Sequence, residues 1–502
     1  MVMATETTVN EVGSGRRNVL SELDKRVPTS FYWSLTILAT IGGFLFGFDT
    51  ANIGSALPFV PYELNGFAQG YLVAGASAGA AVGALAAGRL ADKFGRKSLL
   101  IVDALIYAIG ALLSAVTPNA AVLLIARTLI GLAIGADSAV ATAYIAEYAP
   151  RGRRGALSML QQWMITVGIL AAFIVALIIL WALPNSAGTL DWRLILGIGA
   201  IPAVIGVVFR TRMPESPRWL LRHGRYEETR HALAKLGTEV SLADVEYTAS
   251  ELHADDQRTE QVRRRIWTPG VKRALIVVCV FFIFQQISGI NVPLYYGPKL
   301  LGPLFQTGSS TVASTMAGVE VTAIIAAVNV IATYFAFKWI DKVGRRKLSM
   351  GGYGGMAVAA LISAPGLLVL TGTARIVVVM VALNLFVASF AIGVGGTGWL
   401  IQGESFPTAV RGQAAAVAAS VDWAANFALI EVFPTWQTGI GLGWIMICFA
   451  VISVIAIGFV YRFLPETKNR SVEEITAVYE SQASGDRNAG IAPAKGSDAA
   501  AA

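Results

Sequence analysis

The chain has 502 residues, of which 55% are hydrophobic and only 14% charged, with a formal net charge of +7; its mean hydropathy is +0.61. A soluble domain carries about 25% charged residues, so a soluble multidomain enzyme is excluded. Disordered and collagen-like chains are excluded by the apolar content and by glycines without a fixed period. A polytopic membrane protein remains, and its positive charge reflects Lys and Arg gathered in cytoplasmic loops, not a nucleic-acid partner.

Residues 1–30 are polar and include Arg16, Arg17, Lys25 and Arg26. No short apolar segment with a small-residue cleavage site opens the chain, so no signal peptide is expected. A spanning helix needs about 20 apolar residues. Twelve candidate runs start near residues 31, 66, 98, 119, 155, 191, 273, 312, 348, 374, 409 and 437. Arg89, Lys93, Arg96 and Lys97 follow the second run. Arg151, Arg153 and Arg154 follow the fourth, and Lys342, Arg345, Arg346 and Lys347 the eighth. The breaks at 58–65, 116–120, 182–190 and 432–437 lack Lys and Arg. Positive charge thus alternates with loop parity, which predicts both termini in the cytoplasm.

The expected organisation is a cytoplasmic segment 1–30, a six-helix bundle 31–212, an intracellular helical linker 213–272, a second six-helix bundle 273–465, and a largely disordered cytoplasmic tail 466–502. In the linker, Glu227, Arg230, Ala232, Leu233 and Leu236 keep helical spacing. His223, His231 and His253 all fall in that stretch, so no histidine metal or acid–base site is expected in the apolar body. Cys279 and Cys448 sit in apolar runs and read as packed thiols.

An internal repeat is the most informative global feature. Asp92-x-x-Gly95-Arg96-Lys97 returns as Asp341-x-x-Gly344-Arg345-Arg346. Glu147, seven residues before Arg154, returns as Glu404, seven residues before Arg411. Pro214-Glu215-Ser216 returns as Pro465-Glu466-Thr467. Nearly equal offsets mean a duplicated six-span unit, the architecture of alternating-access carriers. The glycines permit tight turns. The acids and bases suit pairing at helix ends, which latches one conformation and releases in another. Setting the topology is the alternative role for those charges.

The sequence resembles the sugar porter family of the major facilitator superfamily. The resemblance rests on the Gly88–Lys97 loop, Arg127-x-x-x-Gly131-x-x-x-Gly135, Pro214-Glu215-Ser216-Pro217-Arg218-Trp219-Leu220, Gln285-Gln286-Ile287-Ser288-Gly289-Ile290-Asn291, Gly403-Glu404-Ser405-Phe406-Pro407 and Pro465-Glu466-Thr467-Lys468. It spans roughly residues 31–475. It implies an all-α membrane protein of the major facilitator fold, with twelve transmembrane helices in two pseudo-symmetric bundles and intracellular helices. Two positions depart from the pattern: Phe337 replaces the first glycine of the second loop motif, and Asn469 the glycine after Pro-Glu-Thr-Lys. The latch set is Asp92, Arg96, Glu147, Arg154, Glu215, Arg218, Asp341, Arg345, Glu404 and Arg411.

A sugar offers hydroxyls that donate and accept, around a ring with apolar faces. Amides suit the first and aromatic rings the second. Gln162, Gln285, Gln286, Asn291, Asn329, Asn426, Trp399 and Trp423 are such residues in apolar runs. The resemblance matches Gln162, Gln285, Gln286, Asn291, Asn329 and Trp399 to sugar-contacting positions, and Phe46 and Tyr296 to aromatic wall or gate positions. Hydrogen-bond glue between helices is the other role open to the amides.

Asp49 lies in the first run, and an intramembrane carboxylate is a functional hypothesis by default. Arg127 reads as the only strongly basic residue deep in the apolar body, hence its partner. The resemblance matches Asp49 to the proton carrier of the family's symporters and Arg127 to its partner; a static ion pair is the alternative. Asp422, Asp137, Asp103, Glu320 and Glu431 are further acids in or near spans. For Asp422 three roles stay open: accepting two sugar hydroxyls, a second proton site, or selection of a cationic substrate. The expectation is a proton-coupled symporter of a monosaccharide or related polyol, with no metal or organic cofactor. Its partners are the sugar, protons and membrane lipids, and a monomer is expected. A uniporter and a carrier of a non-sugar metabolite are the alternatives. No nucleophile, base and orienting group converge in the spans, so an enzyme is not expected.

Overall fold

The computed structural model describes residues 18–20, 30–64, 66–148, 154–305 and 310–485. Among these there is no strand. Span 1 comprises the helices Ser30–Ala39 and Ile41–Ala56. Spans 2 to 6 are Gly66–Phe94, Arg96–Ala115, Ala120–Tyr148, Arg154–Ala182 and Ala187–Thr211. Span 7 runs through Pro269–Ile287, Asn291–Tyr295 and Gly297–Phe305. Spans 8 to 12 are Thr311–Val343, Arg345–Leu368, Gly372–Glu404, Thr408–Ile440 and Leu442–Phe463. Eleven described helices are individually long and apolar enough to cross a bilayer. Span 1 is the twelfth: it breaks at Thr40 into pieces of 10 and 16 residues, each too short alone.

Small residues let these helices approach closely, as membrane helices do when packing replaces the hydrophobic drive. Gly79 and Gly83 of span 2 lie against the backbone of Thr128 and Leu132 in span 4, while Gly131 and Gly135 lie against Ala76 and Ala80. Span 1 meets span 5 through Gly47 and Gly168. Apolar side chains such as Ile109, Ile178, Ile331 and Val454 are exposed on the outside of the bundles. Cys279 and Cys448 are free and half-buried.

The sequence repeat is repeated in geometry. Gly95 and Gly344, at φ +97° and +98°, make the turns before spans 3 and 9. That left-handed backbone favours glycine. Glu215 accepts the backbone N–H of Arg96 at 3.0 Å and of Lys97 at 3.1 Å. Glu466 does the same for Arg345 at 2.8 Å and Arg346 at 3.1 Å. A carboxylate thus caps the positive end of each span. Arg96 pairs with Asp92 at 2.9 Å and Glu147 at 3.1 Å; Arg345 pairs with Asp341 at 3.0 Å and Glu404 at 2.8 Å. Each of these four ion pairs stays within one bundle. Arg411 Nε donates to Phe406 O at 3.1 Å. Arg218 Nε has no hydrogen-bond partner among the described residues. The side chain of Arg154 lies outside the described residues.

Three expectations change. The linker ends before residue 269, because Thr268 caps the helix Pro269–Ile287 by accepting from Val271 N, with proline in its first turn. The linker's own helices are Pro217–Arg222, Tyr226–Lys235 and Leu242–Ile266. The tail, expected to be largely disordered, contains the helix Val472–Ala483. Ser471 and Glu474 form its capping box, Ile475 and Tyr479 are buried, and Glu480 accepts from Gly270 N at 2.9 Å. Finally, Arg127 is not the only buried arginine. Arg210, at the basic end of span 6, is fully buried and pairs with Asp103 and Asp137. In the sequence it looks like a topology charge beside Arg212.

Asn469 is the only non-glycine described residue with positive φ, at 57°. Asparagine tolerates that conformation, which explains why it can stand in for a glycine. Asn469→Gly should leave thermal stability unchanged, whereas Asn469→Val should lower it by about 1–2 kcal/mol, the cost of a left-handed β-branched residue. Thermal melts of the purified variants check this.

Candidate functional site

Buried amides of span 7 meet span 11 in one network. Gln286 Nε2 donates to Asp422 Oδ1 at 2.7 Å. Asn291 Nδ2 donates to Gln286 Oε1 at 2.8 Å and to Asn426 Oδ1 at 3.2 Å. Asn426 in turn donates to Ser77 Oγ of span 2 at 3.1 Å, so the network crosses between the halves. Span 7 can present adjacent amides here because its helix stops at Ile287 and restarts at Asn291, with Gly289 at φ +92° between them. Gln285 donates to the carbonyls of Val394 and Gly395 at 3.2 and 3.0 Å, where span 10 loosens into a π-helical turn over Ala391–Gly395. Such turns recur at functional sites. Gln162 of span 5 lies beside the same turn, within reach of Gly395.

Aromatic rings enclose these groups. Phe46 meets Trp423 edge-on at 4.7 Å, and Trp399 packs on Phe282 at 5.3 Å. Gln285 Oε1 and Trp423 Nε1 are buried with no hydrogen-bond partner among the described residues. Buried polar atoms are normally paired, so an acceptor and a donor stand ready for a ligand. Tyr296 sits toward the face opposite the basic loops: its hydroxyl donates to Ile430 O at 3.0 Å and its ring stacks on Phe433 at 4.9 Å. Close approaches of Gly54 to Tyr295 and Gly70 to Glu431 join the halves there as well. Asn329 is buried but apart from the network; its Oδ1 accepts from Thr333 of its own helix at 3.4 Å.

Asp49 and Arg127 form a bidentate pair. Arg127 Nη2 donates to Asp49 Oδ2 at 2.8 Å, and Nη1 donates to Oδ1. Arg127 is fully buried and its Nε donates to Leu72 O at 3.2 Å. The tyrosines of neighbouring helices surround the pair: Tyr107 OH donates to Leu45 O at 3.1 Å, and Tyr295 OH lies 3.5 Å from Thr50 Oγ1. Removing either partner leaves a buried charge, at a cost of about 3–5 kcal/mol. The pair sits in the N-terminal bundle and the amides in the C-terminal bundle.

Sequence reading missed Ser77 and the Arg210 cluster. Ser77 has no visible signal within its run of Gly and Ala. Asp103 and Asp137 were visible as acids in spans, but their partner was not.

Two six-helix bundles around a buried polar pocket, with repeated turn motifs at one face, define a membrane carrier of the major facilitator fold. The chain belongs to the family described as Sugar (and other) transporter, matched over residues 35–479; it is an integral membrane transporter and not an enzyme. It is 37% identical over 442 residues to the glucose transporter GlcP of Staphylococcus epidermidis, covering 88% of this chain and 95% of that protein. It is 33% identical over 479 residues to the arabinose-proton symporter of Bacillus subtilis, covering 92% and 99%. Among solved structures, the proton:xylose symporter XylE bound to 6-bromo-6-deoxy-D-glucose is similar at a TM-score of 0.74 and 28% identity, over 90% of this chain and 99% of that one. The partially occluded inward open XylE of E. coli gives 0.75 and 27%, over 88% and 100%.

Proposed function

We propose that the protein couples proton entry to uptake of a monosaccharide or related polyol by alternating access. The observation that carries this reading is the buried Asp49–Arg127 pair, across the interface from an amide pocket. An aspartate that either pairs with arginine or takes a proton can load on the acidic side and unload on the other. Relatives named as an arabinose-proton symporter and a D-xylose transporter support the same reading. Asp422, held by Gln286, has the donor-hungry chemistry to bind vicinal hydroxyls.

The face carrying Gly95 and Gly344 is assigned to the cytoplasm by its basic loops, and both termini with it. The bundles run 31–212 and 269–465, with the linker and tail helices at the cytoplasmic mouth. The exposed apolar belt faces lipid. The Arg96–Glu147 and Arg345–Glu404 pairs act as latches that change as the halves rock. A monomer suffices, because pocket and coupling pair lie in one chain, and the proton is the only coupling species required.

The test is uptake into proteoliposomes under an inward proton gradient, with hexoses, pentoses, inositols and sugar amines offered. Uphill uptake of one polyol, collapsed by a protonophore, is the expected result. Equilibrative uptake indifferent to the gradient makes the protein a uniporter. Uptake of only the sugar amines transfers Asp422 to cation selection.

A further inference from the structure

A second buried acid–base cluster lies in the same bundle, nearer the basic face, and the transport reading does not use it. Asp103 of span 3 and Asp137 of span 4 are 2% and 3% exposed, and Arg210 of span 6 is 0% exposed. Arg210 Nη1 donates to Asp103 Oδ1 at 2.7 Å, and Nη2 donates to Asp137 Oδ1. The remaining guanidinium hydrogens go to backbone carbonyls: Leu100 at 2.5 Å, Ala39 at 3.3 Å and Leu38 at 3.5 Å. The arginine's donors are therefore used up. Asp103 Oδ2 and Asp137 Oδ2 remain buried with no donor among the described residues.

Two carboxylates facing one guanidinium leave a net negative charge in an apolar bundle. A buried uncompensated charge is too costly to keep and neutralises instead. Like carboxylates sharing a site cannot both ionise. The titratable groups acting on Asp103 and Asp137 are each other and Arg210, with no further cation among the described residues. Span 1 supplies only the Leu38 and Ala39 carbonyls and Gly42, whose missing side chain leaves room for the Asp137 carboxyl. The Asp103 and Asp137 carboxyl groups lie within hydrogen-bonding reach of each other, so a single proton shared between them balances the charge. We propose that Asp103 and Asp137 form a second proton-binding site that shares one proton beside Arg210.

This site is distinct from Asp49. Asp137 is ten residues along span 4 from Arg127, about 15 Å at 1.5 Å per residue. It lies toward the basic face, where Arg210 holds the carbonyls at the break in span 1, the helix that carries Asp49. The proposal rests on charge and hydrogen-bond counting, so it stands or falls independently of the sugar and of symport.

Infrared difference spectra of the purified full-length protein in lipid at neutral pH test it. Wild type minus Asp103→Asn and wild type minus Asp137→Asn should each show one protonated-carboxyl absorption that the variant lacks, because either amide leaves one carboxylate for one arginine. The absorption should persist in Asp49→Asn and in Asp422→Asn. Survival of the absorption in either cluster variant overturns the proposal. Should those variants not fold, the Asp49→Asn/Asp422→Asn double variant, with the cluster intact, must still show a protonated carboxyl that shifts in deuterated water; its absence overturns the proposal equally.

Discussion

Asp49→Asn protein in proteoliposomes should exchange labelled sugar across the membrane yet fail to concentrate it, its accumulation collapsing to equilibrium under a full inward proton gradient. The physical reason lies in what an amide retains. The amide oxygen of the substituted side chain still accepts from Arg127, so one arm of the bidentate pair survives, while the buried guanidinium loses its counter-charge and stability falls by up to ~3–5 kcal/mol. With that arm kept, the protein folds, binds and rocks between its two states. What it loses is the alternation between a carboxylate paired with arginine and a neutral acid carrying a proton. Exchange needs only the loaded forms, whereas net uphill movement needs the proton to be taken and released. A variant that still concentrates sugar would reduce Asp49 to a structural ion pair. Loss of exchange as well as accumulation would mean the pair holds the bundle together more than it couples transport, and a lowered melting temperature would accompany it.

The second large effect is expected at Gln286. Gln286→Leu keeps the volume but removes both hydrogen bonds that the amide makes in the network. Asp422 Oδ1 loses its donor, and Asn291 loses an acceptor. On the proposed reading the same amide also bonds the sugar, and a buried polar group left without its partner costs about 1–3 kcal/mol, so sugar affinity should fall about five- to a hundredfold at 1.4 kcal/mol per decade. Measured KM values for uptake, alongside thermal melts, separate binding from folding. Adding Asp422→Asn should recover melting temperature, because no carboxylate is then left without a donor, but should not recover KM. If the double variant regains affinity, the pocket carboxylate is repelling the sugar and the assignment of Asp422 as a hydroxyl acceptor is wrong.

The two predictions draw on residues that were visible to different degrees. Asp49 stands out in any reading, since a lone acid inside Gly47-Phe48-Asp49-Thr50 has few innocent roles. Gln285, Gln286 and Asn291 stand out for the same reason, as amides in an apolar run. Asn329 stood out too, and its side-chain oxygen accepts from Thr333 one turn away. Arg210 was invisible. A basic residue at the end of a span is ordinary, and only the packing of spans 1, 3, 4 and 6 turns it inward.

The twelve spans, the duplication and the paired turn motifs were all determined by the sequence, because hydrophobic length, loop charge and glycine turns are local properties written residue by residue. The Asp49–Arg127 pairing was also read from it, but not its exclusivity: the same bundle buries a second arginine, Arg210, and two further acids, Asp103 and Asp137. Tertiary structure alone decided the rest: that Asn426 reaches Ser77 across the halves, that Val472–Ala483 docks back on span 7, and that Asp103 and Asp137 converge on one arginine. Those contacts join residues about 70 to 350 positions apart, and which face meets which is set by small-residue packing between helices, a property of pairs of spans that no single span contains.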